Sequence, residues 1–119
     1  MKSCSWTSEQ KFDICIQMMK GLKFIHYRGV VHGNIRPENL LINERENRII
    51  VKFGDFSGSR RSSLNEYSSE TSENFEYSAP EVLMELPWNY KADCWSLACV
   101  IYELYVGARK LDVQVGKMF

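Results

Sequence analysis

Apolar side chains recur at helical spacing near the start of the chain. They are Phe12, Cys15, Ile16, Met19, Leu22 and Ile25. Thr7 and Gln10 fit a capping box, in which each side chain satisfies the other residue's backbone N–H group. Gly29 fits the glycine that commonly follows the last helical turn. The pattern therefore predicts an amphipathic helix of about five turns between these two signals.

Two short β-prone segments follow the predicted helix, at residues 40–42 and 49–53. Residues 43–47 between them, NEREN, are all polar. Apolar and β-branched runs bounded by polar residues are typical of strands. We therefore expect a β-hairpin whose longer turn is formed by the polar stretch.

The second half of the chain changes from a polar segment to a strongly apolar one. Residues 57–78 are rich in serine and glutamate and show little periodicity, which predicts a loop. Residues 93–105 are apolar on nearly every side, and a helix without a polar face is normally surrounded by protein. We therefore expect Trp95 to belong to the core. The other predicted core side chains include Met18, Met19 and Met84.

Composition limits the class of protein. The 119 residues include 15 basic and 15 acidic side chains, and 45% are hydrophobic, as expected of one globular domain. Neither charge forms a long block, so we expect no nucleic-acid partner. No apolar run approaches the roughly 20 residues of a membrane span, and none resembles a signal peptide. We expect an intracellular protein, in cytoplasm or nucleus, that has no membrane partner.

Three segments carry recognisable chemistry, and they occur in a fixed order. Residues 30–42, VVHGNIRPENLLI, are similar to the catalytic-loop pattern His-Arg-Asp-Leu-Lys-Pro-Glu-Asn. Residues 54–57, GDFS, are similar to the metal motif Asp-Phe-Gly. Residues 79–81, APE, are followed by residues 93–97, DCWSL, which resemble a buried central helix. Each segment alone is a weak signal, whereas their joint order is a strong one.

Together these segments resemble the eukaryotic protein kinase domain over about 100 residues. The resemblance implies an α+β, protein-kinase-like fold with a mainly helical large lobe and a short β-hairpin. Residues 1–119 would then be a partial kinase domain. The chain contains no Gly-x-Gly-x-x-Gly segment and no Val-Ala-x-Lys strand. We therefore expect the small lobe to be absent, and we expect the same of the helices that complete the large lobe, because the sequence stops just past Gly107.

The resemblance implies Mg²⁺ and ATP as cofactors, and it assigns candidate ligands. Asn39 and Asp55 stand at the metal positions, where they offer an amide oxygen and a carboxylate to a cation that prefers oxygen. Arg36 stands at the lysine position beside the transferred phosphate and keeps the positive charge. Arg36 is therefore both a catalytic and a cofactor-binding candidate. With one lobe covering the nucleotide, we expect ATP binding to be weak or absent.

Two residues of the catalytic-loop segment depart from the family pattern. Asn34 replaces the aspartate that accepts the substrate's proton, and a carboxamide cannot accept a proton near neutral pH. Gly33 replaces the arginine that pairs with an activation-loop phosphate in many relatives. The resemblance also implies structural roles for His32 and for Asp93, the latter holding the loop backbone from below. These departures predict a catalytically impaired site.

Three functional hypotheses follow, and whether the protein is an enzyme stays open among them. Pro37 and Glu38 favour the serine/threonine branch of the family. The departures in the catalytic loop favour a pseudokinase-type interaction module that binds a protein partner. The intact Asn39 and Asp55 favour the alternative, a partial gene model of an ATP-dependent serine/threonine protein kinase. A third hypothesis, an unrelated binding module, is supported only by the short length of the chain.

Overall fold

The computed structural model describes residues 6–61 and 76–106, and these ranges contain helices and small antiparallel sheets. In chain order the elements are α1 (Ser8–Tyr27), β1 (Val30–Val31), β2 (Leu40–Arg45), β3 (Arg48–Phe53), β4 (Arg60–Arg61), α2 (Pro80–Leu83) and α3 (Lys91–Val106). Strand β1 pairs with β4, and β2 pairs with β3. The predicted α+β class is confirmed. Most of the loop predicted for residues 57–78 lies outside the described residues, and its first part is a 3₁₀ turn that precedes β4.

The ends of α1 match the sequence signals. Thr7 and Gln10 form the predicted capping box, with the Gln10 N–H donating to Thr7 Oγ1 at 3.1 Å and the Thr7 N–H donating to Gln10 Oε1 at 2.9 Å. Two of the helix's otherwise unpaired N–H groups are thus satisfied locally. The chain leaves the helix through Gly29, whose φ of 74° lies in the left-handed region that glycine adopts without strain.

The buried face of α1 is offset from the predicted stripe. The side chains that enter the core are Ile14, Cys15, Met18 and Leu22. Phe12 and Met19 are 63% and 47% exposed, so their assignment to the buried face was wrong. Apolar residues cover more than one side of this helix, and periodicity alone could not choose between the sides. Packing against β3 and α3 makes that choice, and each aliphatic side chain buried there contributes about 1.5–3 kcal/mol.

The hairpin has longer strands and a tighter turn than predicted. Strands β2 and β3 pair from Leu40 opposite Phe53 to Arg45 opposite Arg48. The turn is only Glu46 and Asn47, with φ angles of 50° and 64°. Two positive φ angles in a two-residue loop are typical of a type I′ turn, which matches the twist of the flanking strands. The prediction of a longer turn was wrong because polar residues 43–45 continue the ladder.

Gln17 joins α1 to the hairpin through backbone groups of β3. Its Nε2 donates to the carbonyl of Ile49 at 2.7 Å, and its Oε1 accepts from the N–H of Val51 at 2.9 Å. The side-chain amide therefore pairs with the backbone of β3 in the way that a neighbouring strand would. An unpaired strand edge is a site for unwanted association, and this contact covers part of it.

Helix α3 is buried along one side. Asp93, Ser96, Leu97, Val100 and Leu104 are the chief buried residues of that side. Trp95 is 48% exposed and Met84 is 67% exposed, so the prediction that they belong to the core was wrong. The same prediction was wrong for Met19. The expectation that α3 would be surrounded by protein is not met among the described residues. No helix of this part of the chain combines the length and hydropathy needed to cross a bilayer.

Two hydrophobic clusters include side chains of the catalytic-loop segment. The larger cluster joins α1, the hairpin and α3 and includes Met18, Ile35, Ile42 and Val100. The smaller cluster joins β1, α2 and the start of α3 through Val31, Ala79, Val82, Trp88 and Ala92. The segment belongs to both clusters, since Val31 lies in the smaller one and Ile35 and Ile42 lie in the larger one, so buried side chains hold it along its length.

Candidate functional site

Asp93 anchors the catalytic-loop segment by its backbone. One carboxylate oxygen, Oδ2, accepts the N–H of His32 at 2.8 Å, and the other, Oδ1, accepts the N–H of Gly33 at 2.9 Å. Asp93 is 2% exposed, so these charge-assisted hydrogen bonds form away from competing water. The resemblance implied this structural role, and the geometry confirms it.

His26 is a third partner of the same carboxylate. Its Nε2 lies 2.8 Å from Asp93 Oδ2, and its ring contacts that of Tyr90 edge-on, with 5.2 Å between centroids. His26 belongs to none of the sequence motifs. The pairing joins positions 67 residues apart, and no local pattern could have shown it.

His32 connects the loop to the metal motif. Its Nε2 lies 2.9 Å from the carbonyl of Gly54, and its Nδ1 accepts the N–H of Asn34 at 3.1 Å. A neutral imidazole with its proton on Nε2 satisfies both contacts at once. The fully buried ring also packs against Phe56, with 4.7 Å between centroids. The residue is structural, as predicted.

Asn34 and Asn39 are brought together as the family pattern implies. Asn39 Nδ2 donates to the carbonyl of Asn34 at 2.7 Å, and the Gly54 N–H donates to the carbonyl of Asn39 at 2.7 Å. Because its nitrogen is used, the Asn39 side chain keeps its oxygen for a cation. The second hydrogen bond places the residue before Asp55 directly against Asn39, so the two candidate metal ligands belong to one corner of the fold.

Asp55 is held in a strained local conformation with a free carboxylate oxygen. Its φ is 51°, in the left-handed region, and Oδ1 accepts the Ser57 hydroxyl at 2.6 Å and the Ser57 N–H at 3.4 Å. The hydroxyl and then the backbone N–H of Ser57 lower the pKa of the Asp55 carboxyl, because both hydrogen bonds favour its charged form. Both contacts end on Oδ1, so Oδ2 has no partner among the described residues.

The donor set suits a hard cation with phosphates attached. One ionised carboxylate oxygen and one amide oxygen are what Mg²⁺ accepts from protein, since this ion keeps waters or phosphate oxygens at its other positions. Among the described residues no group of three or more His, Cys, Asp or Glu side chains could hold a metal ion. The candidate site therefore fits Mg²⁺ bound with a nucleotide and does not resemble a metal cage built by protein alone.

Arg36 points toward other partners. Its Nε donates to Glu38 Oε1 at 3.1 Å, and its guanidinium carbon lies 5.9 Å from the ring centroid of Tyr77. These described contacts do not include Asn39 or Asp55. The structure thus brings Asn34, Asn39 and Asp55 into one region, while it directs Arg36 toward residues before the APE segment.

Tyr77 was not singled out in the sequence. It is 1% exposed, its hydroxyl donates to Glu103 on α3, and its carbonyl accepts from the Ser96 hydroxyl. Burial, and then the hydrogen bond to Glu103, raise the pKa of Tyr77. The second carboxylate oxygen of Glu103 is buried without a partner among the described residues. These contacts tie the start of the APE segment to α3.

Comparison with known proteins agrees with this geometry. The chain is 33% identical over 100 residues to the serine/threonine-protein kinase nekl-2 of Caenorhabditis elegans, which covers 84% of this chain and 28% of that protein. It is 36% identical over 91 residues to the serine/threonine-protein kinase prp4 of Schizosaccharomyces pombe, covering 76% and 18% respectively. A Dictyostelium discoideum protein named as a probable inactive serine/threonine-protein kinase is 39% identical over 94 residues, covering 77% and 8%.

The chain thus spans less than a third of the length of these relatives. The family model for the protein kinase domain matches residues 2–117, which is nearly the whole sequence. That match includes the anchored loop, the metal motif and the APE segment with α3. The chain belongs to the protein kinase domain family.

Proposed function

We propose that this chain is a catalytically impaired, serine/threonine-kinase-like domain that acts inside the cell as an interaction module for a protein partner. The observation that carries the proposal is Asn34. Its backbone N–H contacts His32 Nδ1 and its carbonyl accepts from Asn39, so the residue sits in an ordered loop. The side chain in that loop is a carboxamide, where the family pattern expects a proton acceptor.

The loss of a general base has a definite kinetic size. Such a group typically contributes about 10²- to 10⁴-fold in rate, which corresponds to roughly 3 to 5.5 kcal/mol of activation free energy. Asn34 can still accept a hydrogen bond from a hydroxyl and orient it. It cannot take up the proton that leaves the hydroxyl, so transfer would rely on solvent or on the nucleotide for that step.

Asn39 and Asp55 would hold Mg²⁺ with ATP through the amide oxygen of Asn39 and the carboxylate oxygen of Asp55 that Ser57 does not contact. When bound, the cation would neutralise charge on the phosphates of the nucleotide. Arg36 adds a positive side chain in the same segment. Its contacts with Glu38 and Tyr77 would have to be exchanged for a phosphate, which weakens its contribution. We expect weak binding of the nucleotide by this chain.

The alternative function is that of an ATP-dependent serine/threonine protein kinase of which this chain is a part. The intact oxygen donors of Asn39 and Asp55 favour it, because an inactive domain has no need to keep them. The similarity to nekl-2 and prp4, both named as serine/threonine-protein kinases, also favours it. The relative named as a probable inactive kinase favours the first proposal.

A transfer assay tests the first proposal, because only the alternative allows transfer that depends on Asp55. The chain is incubated with Mg²⁺ and γ-labelled ATP and with serine-containing peptides, and Asp55→Ala serves as the blank. We expect the two proteins to give the same background, because the proton acceptor is missing in both. Steady transfer by the unmodified chain that disappears in Asp55→Ala would overturn the first proposal and establish the alternative.

A further inference from the structure

The outer face of α1 near its C-terminal end combines exposed cations with exposed aromatic rings. Phe24 is 59% exposed and Tyr27 is 87% exposed. The cations on the same face are exposed as well. We call this surface the basic aromatic face, and it consists of Lys20, Lys23, Phe24, Tyr27 and Arg28.

The packing of α1 fixes the outward direction of this face. Met18 and Leu22 enter the core, and a Cβ atom at Gly21 would lie only 3.1 Å from the ring of Phe53. The helix therefore presents the side of residue 21 to the hairpin. Positions 20, 23, 24 and 27 are neighbours at spacings of three and four on the side away from Met18 and Leu22, and Arg28 follows as the C-cap residue, so their side chains form one continuous surface.

The charge of the face is not neutralised locally. Among the described residues, no carboxylate forms an ion pair with Lys20, Lys23 or Arg28. The guanidinium carbon of Arg28 lies 4.7 Å from the ring centroid of Phe24. Cations near a helix C-terminus stabilise the helix dipole, which explains the charge. The helix dipole does not explain why two large aromatic side chains are exposed to water. Exposed aromatic side chains together with arginine are typical of protein interfaces.

We propose that the basic aromatic face binds an acidic segment of a partner protein, with glutamate or aspartate side chains against the cations and an apolar side chain against Phe24 and Tyr27. The distance along the helix from Lys20 to Arg28 is about 12 Å at 1.5 Å per residue. An extended peptide covers that length with about four residues. The face is therefore matched to a short linear segment.

Two other kinds of anionic partner fit the molecule less well. A nucleic acid is bound by many cations spread along its backbone, and this chain has equal numbers of acidic and basic side chains. A bilayer takes up the apolar face of an amphipathic helix, and the apolar face of α1 is buried in the larger hydrophobic cluster. The proposal rests on the interaction role proposed above. An active kinase could carry the same face, so the result of the transfer assay does not decide the result of the binding assay.

Fluorescence anisotropy of a labelled peptide tests the proposal. The probe is a fluorescein-labelled, glutamate-rich peptide about eight residues long with interspersed leucines, long enough to cover the face in extended form. We expect saturable binding to the 119-residue chain that weakens as salt is added. The double variant Lys20→Glu, Lys23→Glu should bind at least about tenfold more weakly, and Phe24→Ser should weaken binding without changing the charge.

The matched control reverses two exposed cations elsewhere, in the double variant Arg45→Glu, Lys91→Glu, and changes the net charge equally. Its affinity should stay within about twofold of the unmodified chain, because long-range attraction is screened by salt. Equal losses in the two double variants would overturn the proposal. So would tighter binding to phosphatidylserine vesicles, or to a single-stranded DNA oligonucleotide, than to the peptide. Melting curves of all variants verify that each one is folded.

Discussion

His26 on α1 and Asp93 on α3 are joined side chain to side chain, with Nε2 2.8 Å from Oδ2. The same carboxylate holds the backbone N–H groups of His32 and Gly33. One buried acid thus connects two helices to the segment that carries Asn34. The backbone of this segment is therefore held by Asp93, and the hydrogen bonds that hold it do not involve the side chain of Asn34.

Asp93→Ala should strongly destabilise the chain. The change leaves two backbone N–H groups and His26 without their acceptor, and each unsatisfied buried donor costs about 1–3 kcal/mol. We expect the free energy of unfolding to fall by about 3 kcal/mol or more, a large share of a typical total. Asp93→Asn keeps one oxygen acceptor and should cost less. Urea denaturation followed by circular dichroism measures the difference, and equal costs for the two variants would contradict the assigned contacts.

His26 should matter less than its partner. His26→Ala removes one hydrogen bond to a charged group, which we expect to cost about 1.5 kcal/mol in free energy of unfolding. His26→Gln retains a donor and should recover part of that loss. Tyr27→Ala, at the neighbouring position that is 87% exposed, is the control and should change stability by less than about 0.5 kcal/mol. A cost for Tyr27→Ala as large as that for His26→Ala would mean that the helix itself, and not the contact, is responsible.

Gly33 is constrained by its backbone. Its φ of 81° lies in the left-handed region, where a Cβ atom costs roughly 1–2 kcal/mol. Gly33→Ala should therefore lower the free energy of unfolding by about 1 kcal/mol. Gly33→Asn should lower it less, because asparagine enters this region more readily than alanine. Thermal denaturation ranks the two variants, and a stable Gly33→Ala chain would show that this φ is not required by the fold.

The features predicted correctly from the sequence are those that depend on residues close together in the chain or on the family motifs. The capping box of Thr7, the hairpin strands and the anchoring role of Asp93 follow from short patterns or from the family motifs. The buried face of α1 was misassigned because Phe12 and Met19 share the apolar character of the residues that do enter the core. The link from Tyr77 to Glu103 joins positions 26 residues apart, and long-range pairs of this kind leave no periodic signal.

Glu46 should be a site where stability can be raised. It occupies the first position of the two-residue turn with a φ of 50°, whereas asparagine and glycine are the residues that favour this conformation. Glu46→Gly removes the Cβ atom that makes this positive φ unfavourable, and the extra freedom of glycine in the unfolded chain offsets part of the gain. The net rise in the free energy of unfolding should be about 0.5–1 kcal/mol. Asn47→Ala should lower stability at the adjacent position. Denaturation midpoints that move in the reverse directions would refute the turn type.

Ser57 should control the ionisation of Asp55. The Ser57 hydroxyl is the largest cause of the lowered pKa of the Asp55 carboxyl, with the Ser57 N–H second. Ser57→Ala keeps the N–H and should move this pKa upward, toward its ordinary value. Because the folded pKa is depressed, the stabilisation is present above the unfolded pKa and is lost as pH falls through the folded one. Ser57→Ala should bring the folded pKa of Asp55 closer to its unfolded pKa, so the stabilisation should be lost over a narrower range of acidic pH. Carboxyl ¹³C NMR titration measures the shift, with Ser59→Ala as the control. Identical Asp55 titration curves in Ser57→Ala and the unmodified chain would contradict the hydrogen bond.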